Sequence, residues 1–71
     1  MTLDEALDRI SVSPKEVHDQ AVVGTWWPDS LPWAVEDDKG VMALFSTQAA
    51  ACHYRLLVIN QKLNQGWEIQ P

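Results

Sequence analysis

The sequence predicts a single small α+β domain spanning residues 1–71: two short N-terminal helices, a β-hairpin, one long helix and a short C-terminal strand. Three observations carry that prediction. Two helix-start signals follow each other within residues 2–16. Two apolar runs flank the turn Asp37-Asp38-Lys39-Gly40. A long segment beginning near Gln48 keeps helical apolar spacing until a glycine at position 66. A chain of 71 residues leaves room for one core only, with no repeat or linker to mark a boundary.

Thr2 and Glu5 form a Thr-x-x-Glu capping box, and Leu3, Ala6, Leu7 and Ile10 recur at intervals that line one helical face. Ser13, Pro14 and Glu16 repeat the start signal, which predicts a second helix from Pro14 to about Val22, burying Val17 and Ala21 and ending at Gly24. The next nine residues, Thr25–Trp33, hold two prolines and three tryptophans and predict an irregular packed segment. Trp33–Glu36 and Val41–Phe45 read as the hairpin strands, with Gly40 free to take positive φ. Ser46 or Thr47 caps a helix over Gln48–Asn64, stopped at Gly66. Its main stripe, Ala49, Cys52, Leu56, Ile59 and Leu63, is expected against the hairpin. Trp67-Glu68-Ile69 alternates and predicts a third strand.

Charge restricts the function classes. Ten acidic residues oppose five basic ones, a net charge of −5. Residues 2–21 carry five acids against two bases, and residues 24–40 carry four against one. Phosphate backbones and anionic membrane surfaces are bound through clustered Lys and Arg, and this chain has no such cluster. No apolar run approaches a membrane span. The acidic start and the single cysteine, Cys52, fit a cytoplasmic protein whose thiol stays reduced.

Thr2–Val17, read through Leu3, Asp4, Ala6, Leu7, Ile10, Ser11-Val12-Ser13 and Pro14, resembles the front of a helix-turn-helix DNA-binding unit. The resemblance implies a turn at Ser11–Ser13, a buried Val17 and a recognition helix behind it. That helix would present Lys15, Glu16, His18 and Asp19, two of them anionic, which argues against base readout.

No residue set points to catalysis, a cofactor or a metal. Cys52 and His53 are adjacent on a helix and project about 100° apart, and no second cysteine completes a zinc set. Glu36, Asp37 and Asp38 suit a solvated turn, and glycines at 24, 40 and 66 form no phosphate loop. The excess of tryptophan is the informative anomaly: four in 71 residues, three of them within eight positions. Trp33 and Trp67 are expected in the core. In an extended segment, adjacent Trp26 and Trp27 face opposite ways, so one is expected outside. The long helix is apolar on a second side, at Ala50, Ala51, Tyr54, Leu57 and Val58. These features predict a non-catalytic protein-binding or assembly module, an accessory subunit or adaptor, acting through Trp26, Trp27, Tyr54, Leu57 and Val58. Its partner is another protein or a second copy. One alternative is an acidic inhibitor that mimics nucleic acid on a basic protein, and a second is a helix-turn-helix-like DNA-binding module.

Overall fold

The computed structural model describes residues 1–70, in the order α1 (Leu3–Arg9), β1 (Ser11–Pro14), a 3-10 turn (Lys15–Val17), α2 (Gln20–Val23), β2 (Trp33–Asp37), β3 (Gly40–Phe45) and α3 (Gln48–Asn64). It is an α+β arrangement, with the strands in one antiparallel sheet ordered β1-β2-β3. The molecule is elongated, 39 × 19 × 18 Å.

The local signals at α1, the hairpin and α3 are realised. The Thr2 hydroxyl accepts the Glu5 amide and the Glu5 carboxylate accepts the Thr2 amide, closing the capping box. The hairpin turns through Asp38 and Lys39. The Asp37 carboxylate accepts the Lys39 amide at 2.8 Å, and Gly40 takes φ +122°, which an L side chain resists. Thr47 caps α3 through the Ala50 amide, and Gly66 follows its end at φ +117°.

The second helix expected from Pro14 to Val22 forms only in part, as the 3-10 turn Lys15–Val17 and α2, which ends at Gly24 as expected. Ser11–Pro14 instead pairs antiparallel with β2, setting Val12 opposite Val35. Pairing buries Val12 beside the main core, a gain that outweighs the local capping signal at Ser13. Ser13 spends its hydroxyl on His18 and Glu36 rather than on a helix start. Helix resumes only at α2, capped by Asp19 through the Ala21 amide. The turn of a helix-turn-helix unit is therefore a β-strand here, and Val17 is exposed.

The expected C-terminal strand is also corrected, since β1 supplies the third strand. Residues 67–70 return to the N-terminus instead. The Met1 ammonium donates to the Glu68 carbonyl at 2.9 Å, the Gln70 amide donates to the Met1 carbonyl at 2.8 Å, and Thr2 and Gln70 make one parallel bridge. Trp67 and Ile69 turn inward against the core, and Arg9 sits 5.8 Å over the Trp67 ring.

Alternation along β2 divides the interior into two small cores, one on each face of the sheet. Val35 joins Ile10, Ala51, Val58 and Ile59 beneath α3, with Trp33 and Phe45 beside them. Ala34 faces the other way, against Val23 and Trp27, with Val41 and Leu44 alongside. A register shift between Val35 and Glu36 keeps Val41 and Leu44 on that same side. α3 is rotated from the expected setting. Ala51, Val58 and Ile59 are buried while Ala49, Leu56 and Leu63 lie outside. The sheet thus selects the line through Ala51, Tyr54 and Val58, which the sequence marks as the second apolar side, together with Ile59 from the predicted stripe.

Candidate functional site

The segment covering the second core is built around two tryptophans. Gln20 ties its start down, its side-chain amide donating to the carbonyls of Lys15 at 2.8 Å and His18 at 2.9 Å. Helical turns run on past α2, since the amides of Trp26 and Trp27 both donate to the Val23 carbonyl. Trp26 and Trp27 are therefore not in extended chain, and their rings stack at 5.6 Å and 26° rather than diverging. Trp27 is only 2% exposed and lies against Val23 and Ala34. Its indole N–H donates to the Leu31 carbonyl at 2.6 Å, and the His18 ring tilts against it at 5.0 Å. Trp26 is 50% exposed on top of it. Val22, four residues earlier on the same helical side, is exposed as well. The result is an apolar patch with an indole held against a buried ring beneath.

The other residues singled out from sequence fall elsewhere. Val58 belongs to the main core, and Tyr54 is half-buried with its ring 5.2 Å from Phe45. Leu57 is exposed on α3. Because α3 and Trp27 cover opposite faces of β2, Leu57 and Trp26 share no surface. Val22 is missed by the sequence reading, because a helix ending at that residue gives no reason to set it beside Trp26.

A polar cluster adjoins the Trp27 ring. The Ser13 hydroxyl donates to Glu36 Oε2 at 3.0 Å and lies 3.0 Å from His18 Nε2, which is 3.5 Å from Glu36 Oε1. With its one proton given to Glu36, Ser13 accepts from His18, the reverse of the order that activates a serine nucleophile. Its effect is to tie β1, β2 and the 3-10 turn together beside the indole.

Two open hollows flank this region. One, of about 440 Å³, is lined by Pro14, Pro32, Trp33 and the Lys15–Asp29 ion pair at 2.5 Å. The second, of about 620 Å³, gathers the acids Asp8, Glu36, Asp37 and Asp38 together with the cations Arg9 and Lys39. The hydrogen bond from Lys15, aided by its charge, holds the Asp29 carboxyl below its ordinary value of 3.8. A depressed carboxyl stabilises the fold above the ordinary range, and that contribution is lost as pH falls through the lowered value. An NMR titration of wild type should therefore give Asp29 a midpoint below 3.8, and Lys15→Gln should return it to the ordinary range. An unchanged midpoint in the variant would remove Lys15 as the cause.

Among the described residues no group of three His, Cys, Asp or Glu side chains is placed to hold a metal, and no helix is long and apolar enough to cross a membrane. Cys52 is a half-buried free thiol, and the adjacent His53 is exposed. The fold and this patch define the class of molecule: a small α+β domain with a two-faced sheet and an aromatic cap. Compared with known proteins, the chain matches no family, no curated protein and no solved structure.

Proposed function

We propose that this chain is a non-catalytic protein-binding module whose anchor is Trp26. The observation that carries the reading is the half-exposed Trp26 indole stacked on the buried Trp27, with Val22 exposed one helical turn earlier. Tryptophan is enriched among residues that dominate binding energy, because one ring brings large apolar area at small entropic cost. Stacking on Trp27 holds the ring before contact, which reduces the ordering a partner must impose. The partner's matching feature is an apolar pocket wide enough for an indole, rimmed by groups that tolerate an acidic neighbour.

Trp26→Ala tests this. The variant should melt within about 1 kcal/mol of wild type, since only the stacked face of the ring is lost. Binding to the partner captured from the native host by the immobilised wild-type protein should fall by about 30-fold or more. Retained binding in a folded variant would remove Trp26 as the anchor.

The hollow where Asp8, Glu36, Asp37 and Asp38 outnumber Arg9 and Lys39 favours a second reading, an acidic surface that occupies a basic site on its partner. Salt separates the two. Apolar docking through Trp26 persists at high ionic strength, whereas binding through the carboxylates weakens steeply.

A further inference from the structure

We propose that the free edge of β3 takes up an extended segment of a partner protein as a fourth, antiparallel strand. The two edges of the sheet differ in character. β1 is four residues long and ends in Pro14, which has no amide to donate. The chain then turns away, with the Lys15 amide tied to the Pro32 carbonyl at 2.8 Å. β3 is six residues long, and Val41–Phe45 holds neither a proline nor a charge. Among the described residues no strand pairs with its outer side, and β2 is its only backbone hydrogen-bond partner. Alternate amides and carbonyls of β3 therefore point away from the sheet with no partner in the chain. Water meets such groups one by one, but only another extended backbone meets them as a row.

α3 overhangs this edge. The Tyr54 ring lies 5.2 Å from the Phe45 ring, so the side of the helix through Tyr54 leans toward β3. Leu57 follows three residues later on that side and is 52% exposed. Met42, on the strand itself, is exposed as well. A fourth strand with large apolar side chains on its α3 face fills the space beneath Leu57. A second copy of this chain does not. Pairing β3 with itself about a two-fold axis sets the two β2 strands three spacings apart, about 14 Å. Each α3 lies over Val35 of its own β2, and packed helices sit about 8–10 Å apart, so Leu57 would stay uncovered. Charge adds a further requirement. An antiparallel fourth strand brings its C-terminal end to the hairpin tip, where Asp37 and Asp38 outnumber Lys39. The segment that fits is thus proline-free, alternately apolar, and followed by Lys or Arg. This site is separate from Trp26, which stands on the other face of the sheet.

Selection from a displayed library of random twelve-residue peptides on the immobilised full-length protein tests the proposal. Enriched peptides should alternate apolar and polar residues over at least five positions without proline and end in Lys or Arg. A synthetic peptide of the enriched sequence, titrated into isotope-labelled protein, should move the amides of Gly40–Phe45 and Leu57. Leu57→Glu and Met42→Lys should each weaken its binding about tenfold or more without lowering the melting temperature, whereas Trp26→Ala should leave it unchanged. No enrichment, or enrichment of proline-rich or helix-forming peptides, would overturn the proposal. So would shifts that gather around Trp26 and spare β3, or binding that both edge variants retain. Amide shifts in β3 that move with protein concentration alone would assign the edge to a second copy and overturn the partner strand.

Discussion

Trp27→Ala is expected to remove a large share of the protein's stability. Trp27 is the largest fully buried side chain, and the second core contains little else: Val23, Ala34 and the flanks of Val41 and Leu44. Removing a buried indole costs about 3–5 kcal/mol through lost burial and the cavity left behind. A domain of this size has a total stability of about 4–10 kcal/mol, at the usual range per residue. The substitution also strips the Leu31 carbonyl of its donor and the His18 ring of its neighbour. Thermal and urea melts read the result directly. A variant that melts within about 1 kcal/mol of wild type would mean the second core contributes almost nothing, contrary to typical large-to-small costs.

The second large effect separates two neighbouring positions on α3. Ile59→Ala should cost about 2–5 kcal/mol, because its side chain is 4% exposed and packs beneath the helix. Leu56→Ala should stay within about 0.5 kcal/mol at concentrations where the chain is monomeric, because Leu56 is 58% exposed. The pair reports how α3 is rotated on the sheet. Equal losses at both positions would restore the setting that the apolar stripe predicts and contradict the observed one.

That rotation shows where local reading stops. α1, the hairpin turn and both ends of α3 follow from residues a few positions apart: Thr2 with Glu5, Asp37 with Lys39 and Gly40, and Thr47 and Gly66 at the helix ends. The inward side of α3 does not. Its line is interrupted by Arg55 and Lys62, both half-buried, whereas the outer stripe is uninterrupted and therefore the more regular pattern. Only the position of the sheet decides between them. β1 is a similar case. Ser13-Pro14-Lys15-Glu16 carries a sound helix start, and Val35 lies more than twenty residues further along the chain. Strand pairing with β2 overrides the local preference, and no pattern within residues 11–16 announces it.

The aromatic site was legible in part. The excess of tryptophan singles out the right segment, and the unequal exposure of Trp26 and Trp27 follows the expectation that one lies outside. The geometry behind it is different. Helical turns continuing from α2 bring the rings into a stack, and the position of Ala34 beneath decides that Trp27 is the one buried. Tyr54 and Val58 drop out of the surface because the sheet needs them, and Leu57 remains exposed on the far side.

Site-specific photo-crosslinking in cells of the native host tests the binding reading most directly. A benzoylphenylalanine at position 26 keeps an aromatic ring on the exposed patch, and the same group at Lys39 marks the exposed hairpin tip away from it. Binding through Trp26 gives a discrete protein adduct from position 26 and none from position 39. The absence of an adduct at 26, or equal adducts at both positions, would contradict Trp26 as the contact through which this protein binds.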